Sequence, residues 1–136
     1  MSLNRSLNRP LLILVLALVP ALVLAAQPIL NLKDVAVPVR PDGTAYTVEE
    51  VQAAIIGGCR VKGWTPKIEE PGRITASILV RGKHYAEISI TYTQAAYSIQ
   101  YVSSRDLDYD EKSQEIHRNY NKWITLLSEA ILRQFR

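Results

Sequence analysis

The run Ile74-Thr75-Ala76-Ser77-Ile78-Leu79-Val80, followed by His84-Tyr85-Ala86-Glu87-Ile88-Ser89-Ile90-Thr91-Tyr92 and Tyr97-Ser98-Ile99-Gln100-Tyr101-Val102-Ser103-Ser104, decides the fold. Apolar and polar side chains alternate with period two through all three segments. One face of each strand is therefore apolar and the other polar, the pattern of an antiparallel sheet covered on one side. Turn residues separate them at Pro71-Gly72, Gly82-Lys83 and Gln94 to Ala96. A fourth strand, Trp64 to Glu70, is expected to precede them. Pro66 has no amide to donate to a ladder, which places that strand at an edge.

Helical periodicity flanks the strands. Thr47 with Glu50 three residues later forms a capping box, and Val48, Val51, Ile55 and Cys59 then fall on one stripe. Gly57 and Gly58 each weaken a helix by about 1 kcal/mol relative to Ala. They point either to close packing on the sheet or to an early end, with Gly63 as the later stop. A closing helix is expected over Ser113 to Gln134, with Ile116, Tyr120, Trp123, Ile124, Leu127 and Ile131 on its apolar face. The expected class is α+β over residues 47–136: a two-layer domain in the order helix, four-stranded antiparallel meander, helix, with both helices on one sheet face.

The ends differ from this domain. Arg5 and Arg9 precede an apolar run from Leu11 to Leu24 broken only by Pro20, and Val23-Leu24-Ala25 closes it. A basic start, a short apolar middle and small residues at the end form a secretory signal. Residues 1–25 are expected to be removed after Ala25, with Ala26 as the fallback; a leader kept as an anchor would equally leave the domain outside the cytoplasm. The expected location is periplasmic or secreted, with no stable membrane anchor after cleavage. Residues 26–46, with Pro28, Pro38, Pro41 and the Asp42-Gly43 turn, read as an extended linker or arm. Of the 16 Lys and Arg, Arg5 and Arg9 leave with the leader, so 14 face 13 acids in the remainder. No basic stripe with interleaved aromatics survives, and nucleic acid is not an expected partner. Cys59 is the sole cysteine. It permits no intramolecular disulfide, and on the buried stripe it reads as an inert packed thiol.

Gly63-Trp64, Pro71-Gly72-Arg73-Ile74, Ile90-Thr91-Tyr92, Tyr97-Ser98-Ile99-Gln100-Tyr101 and, most specifically, Ile116-His117-Arg118-Asn119-Tyr120-Asn121-Lys122-Trp123-Ile124 give the chain a resemblance. Over about Val48 to Phe135 it resembles a family of small proteobacterial envelope proteins, many of them described as lipoproteins. The resemblance implies the compartment and a domain of this size, and it transfers no catalytic residue. Members commonly carry a lipid-accepting cysteine after the leader; this sequence has none there.

Two sets of residues invite a functional reading. Polar and aromatic groups crowd one turn at His117, Asn119 and Asn121, and Asp106, Asp108 and Asp110 precede them. The aspartates imitate the start of a calcium loop, but Glu111 stands where the turn needs glycine and His117 where it needs a bidentate Glu. His117, Asn119, Asn121 and Asp108 are thus candidate ligand contacts, with hydrogen bonding to the preceding loop as the structural alternative. His84 reads as a satisfied histidine. No metal or cofactor is expected, and no nucleophile elbow, zinc-protease or phosphate-loop motif suggests an enzyme. The second set is a strand. In a meander Tyr97 to Ser104 is an edge without proline, glycine or charge, so Tyr97, Ile99, Gln100 and Tyr101 form a candidate partner edge. It would be covered by the 27–46 arm through Val35 to Val39, or would take a strand from an envelope protein or a second copy. The function expected is a non-enzymatic binding or assembly module of the envelope; the alternative is a small-molecule or metal-binding periplasmic protein using the 105–121 region.

Overall fold

A computed structural model describes Pro10, Leu12–Val15 and Ala26–Arg136. The expected leader, residues 1–25, lies outside the described residues apart from those five.

The chain begins with two short strands, β1 (Ala26–Pro28) and β2 (Leu32–Ala36), and enters α1 (Val48–Val61). Four strands follow: β3 (Thr65–Glu70), β4 (Arg73–Val80), β5 (His84–Tyr92) and β6 (Ala96–Arg105). The chain then forms β7 (Glu115–His117) and α2 (Arg118–Leu132). The four alternating segments form an antiparallel meander, with Gly72 at φ 86° and Gly82 at φ 65° turning its first two hairpins. Ile74, Ala76, Ile88, Ile90, Tyr97 and Ile99 point to one side and join Val51, Ile55, Ile124, Leu127 and Ile131 of the helices in a single core. Thr75, Ser77, Ser89 and Gln100 occupy the alternate positions, facing away from it.

α1 continues through both glycines. A Cβ on Gly58 would lie 2.6–2.7 Å from atoms of Ile131, two of them backbone. The glycine therefore serves close packing of α1 on α2 rather than on the sheet. Cys59, wholly buried beside it, has its thiol pushed up to about 12 by desolvation, which keeps it protonated and unreactive.

Three expectations are corrected. The sheet has five strands, in the order β2-β6-β5-β4-β3, because the arm supplies β2 along β6. The arm thus closes the edge over Tyr97 to Ile99, the first of the two readings above, through Leu32–Ala36 rather than Val35 to Val39, and leaves Val102 to Ser104 beyond β2. Leu32 lies opposite Ile99 and Val35 opposite Tyr97, Asn31 Oδ1 accepts the Tyr101 amide at 2.9 Å, and the Val37 amide donates to Ala95 at 2.8 Å. Finally, the closing helix starts at Arg118 rather than Ser113. Glu115–His117 is drawn into a separate two-stranded sheet with Ala26–Pro28. A three-residue segment beside a matching strand gains ladder hydrogen bonds that an unsupported first helical turn lacks.

Candidate functional site

The loop after β6 turns sharply. Asp106 and Asp108 adopt left-handed φ angles of 56° and 52°, a conformation that short polar side chains tolerate best. The two turns tuck Leu107 into the core and aim its carbonyl at the His117 amide, which donates to it at 2.9 Å. The aspartates are thereby left exposed on the rim.

His117 ends β7 and caps α2. Its Nδ1 accepts the Asn119 amide at 3.1 Å, so in the neutral ring Nε2 carries the proton. His84, at the start of β5, makes the opposite choice: its Nδ1 lies 2.7 Å from the Asp106 carbonyl and must donate, so in the neutral ring Nε2 keeps the lone pair. Both histidines of the chain line one recess of about 330 Å³, together with Lys83, Asp106, Asp108 and Asn119. Two imidazoles whose Nδ1 atoms play opposite roles, two carboxylates and an amide thus line the recess. Among the described residues no three of His, Cys, Asp and Glu come together as metal ligands. The arrangement is suited to hydrogen-bonding a polar group.

Three of the four candidate ligand contacts, Asp108, His117 and Asn119, are brought together here. Asn121 is not: its Oδ1 accepts the Leu30 amide and its Nδ2 donates to the Pro28 carbonyl, both at 2.9 Å, so it clamps the arm to α2. His84 belongs to the recess although its position in a strand gave no sign of it. The signal is non-local: Tyr85 lies opposite Arg105, which sets the start of β5 against the loop that begins at Asp106.

The candidate partner edge is committed elsewhere. Tyr97 is buried and bonds Ser128 Oγ at 2.5 Å, and Ile99 is wholly buried. The Tyr101 hydroxyl bonds Ser104 Oγ at 2.6 Å, and its ring packs on Tyr109 and edge-on to Tyr120. Burial raises both tyrosine hydroxyls above their ordinary range, offset in part by the serine bonds. Gln100 alone stays exposed.

The chain matches no protein-family model, no curated protein and no solved structure. No helix among the described residues is long and apolar enough to cross a membrane.

Proposed function

We propose that the protein is an exported, non-enzymatic binding or assembly module of the cell envelope, working in the periplasm. Its binding surface lies where β1, the 106–114 loop and the start of α2 meet. The carrying observation is the convergence of Asp108, His117 and Asn119 with His84 around one recess, while the strand expected to receive a partner is already paired with β2. The leader pattern and the resemblance to small envelope proteins support the compartment. Intact mass of the exported protein tests it: a chain beginning at Ala26 or Gln27 is expected, and retention of residues 1–25 overturns cleavage.

A small-molecule reading attaches to the same recess and is favoured by its concave, polar wall. A thermal-shift screen against envelope metabolites and divalent cations tests the site. A ligand at 100 times its Kd adds about 2.7 kcal/mol of stability. The shift should vanish in Asn119→Ala and in Asp108→Asn, the latter chosen because Asn tolerates the left-handed φ. A shift unaffected by either variant places the site elsewhere.

A further inference from the structure

We propose that the end of the domain bearing this recess rests on anionic phospholipid headgroups. The inference depends on the binding surface being at that end, and it names what the surface meets.

Two neighbouring recesses share Asn119 with the first. One is bounded by Gln27, Arg118, Lys122 and Thr125, the other by Val80, Arg81, Lys122, Trp123 and Leu126. Arg81, Lys83, Arg118 and Lys122 are all exposed, and none of them makes an ion pair among the described residues. The only carboxylates lining the three recesses are Asp106 and Asp108, both in the first. Within these linings four cations therefore face two acids, on a chain whose charges after Ala25 nearly cancel, with Asp110, Glu111 and Glu115 in the adjoining loop and strand. The first turn of α2 adds to this field, since it carries no acid.

Trp123 supplies the other half of the match. It is half-buried and lines one recess with Val80, Leu126, Arg81 and Lys122, an apolar ring body near cations. Indole side chains favour the headgroup layer for that reason.

The path of the chain points the same way. Ala26 lies opposite His117 and Gln27 opposite Ile116, and Gln27 forms part of the recess with Arg118 and Lys122. The apolar run Leu11 to Leu24 thus joins the domain beside Arg118 and Lys122. While the leader occupies the bilayer, this end is held at headgroup level. After cleavage, the cations and Trp123 remain as a peripheral contact. Such a contact is sensitive to salt, because exposed charges are screened over about 8 Å at physiological ionic strength.

The test is co-sedimentation of the purified exported protein with vesicles of 30% phosphatidylglycerol in phosphatidylcholine, compared with pure phosphatidylcholine. The readout is the difference between the two, which a retained leader would not abolish. Binding to the anionic vesicles is expected in low salt and should be lost in high salt. Arg118→Gln with Lys122→Gln should weaken it about fivefold per charge removed. Lys33→Gln with Lys67→Gln, which removes the same charge elsewhere, should leave it intact. Circular dichroism melts establish that each variant is folded. Equal binding to both vesicle types, or equal losses in the two double variants, overturns the inference. If a recess ligand still shifts the melt while vesicles fail to bind, membrane docking falls and the proposed binding site stands.

Discussion

The two helices pack against each other through Gly58 and Ile131 but open in opposite ways. α1 begins with Thr47 at the cap and Glu50 three residues on. The Glu50 amide donates to Thr47 Oγ1 at 3.1 Å and the Thr47 amide to Glu50 Oε1 at 3.2 Å. Glu49 and Glu50 complement the helix dipole, and Arg40 of the arm pairs with Glu50. α2 begins with His117 at the cap and Tyr120 at the position equivalent to Glu50. Its first turn has no acid, and the Tyr120 hydroxyl is buried without a hydrogen-bond partner. One start is built for stability. The other keeps a side-chain cap in His117 but lacks the reciprocal Glu, the first-turn acids and, among the described residues, an ion pair.

The contact common to both helices is the severest place to intervene. Gly58→Ala gains helix propensity worth about 1 kcal/mol, but its Cβ collides with the Ile131 backbone. Overpacking typically costs about 1–3 kcal/mol, and a backbone partner cannot swing aside. The net loss of about 1 kcal/mol should lower the melting temperature by about 5 °C. An unchanged melt would mean that the helices are not locked together. Thr47→Ala should cost about 1 kcal/mol in chemical denaturation by removing the cap. At the other start Tyr120→Phe should leave stability unchanged or raise it by up to about 1 kcal/mol, because it deletes a buried hydroxyl that has no partner. A clear loss would reveal a partner for that hydroxyl. Arg118→Glu, which gives the first turn of α2 an acid, should add about 0.5 kcal/mol while weakening binding to anionic vesicles about 25-fold, fivefold for each of the two charges. If it instead destabilises, the missing first-turn acid is not what separates the two starts.

The smallest effect is one of pH. Glu50 is held below the ordinary carboxylate range, first by the Arg40 hydrogen bond and then by the Thr47 amide. A carboxylate with a depressed folded value contributes stability above its unfolded pKa, and that contribution is lost as pH falls through the folded value. Acidification from pH 6 to pH 3 should therefore loosen the amides at the start of α1. Those at the start of α2, with no carboxylate in that turn, should respond less. Amide exchange corrected for intrinsic rates reads the difference, and equal loosening at both ends would dissolve the contrast.

The legibility of the chain follows the range of the forces that shape each part. β4, β5 and β6 and the Thr47 cap were readable because alternation and capping act between near neighbours. β2 was hidden. Asp34 takes a φ of 51° in its middle, the register shifts between Leu32 and Val35, and its pairing is decided by residues more than 60 positions away. Ser113 to His117 read as helix because Ile116 falls on the apolar stripe of α2, and only the arm reveals that Glu115–His117 is a strand. The same holds at the site. His117 and Asn119 lie in one local turn and were found together, whereas His84 joins them only through the β5–β6 pairing.

The arm has a further consequence, in time rather than space. β2 is among the first segments of the domain to be synthesised, yet its partner β6 ends the meander, and the Asn31–Tyr101 contact spans 70 residues. Closing so long a loop is entropically costly and rewarded late. Until the arm returns, Tyr97 to Ser104 presents unpaired amides and carbonyls to any other chain that passes. The slow phase of folding should therefore be the docking of β2, and the interval before it is the period when the protein is most prone to aggregate.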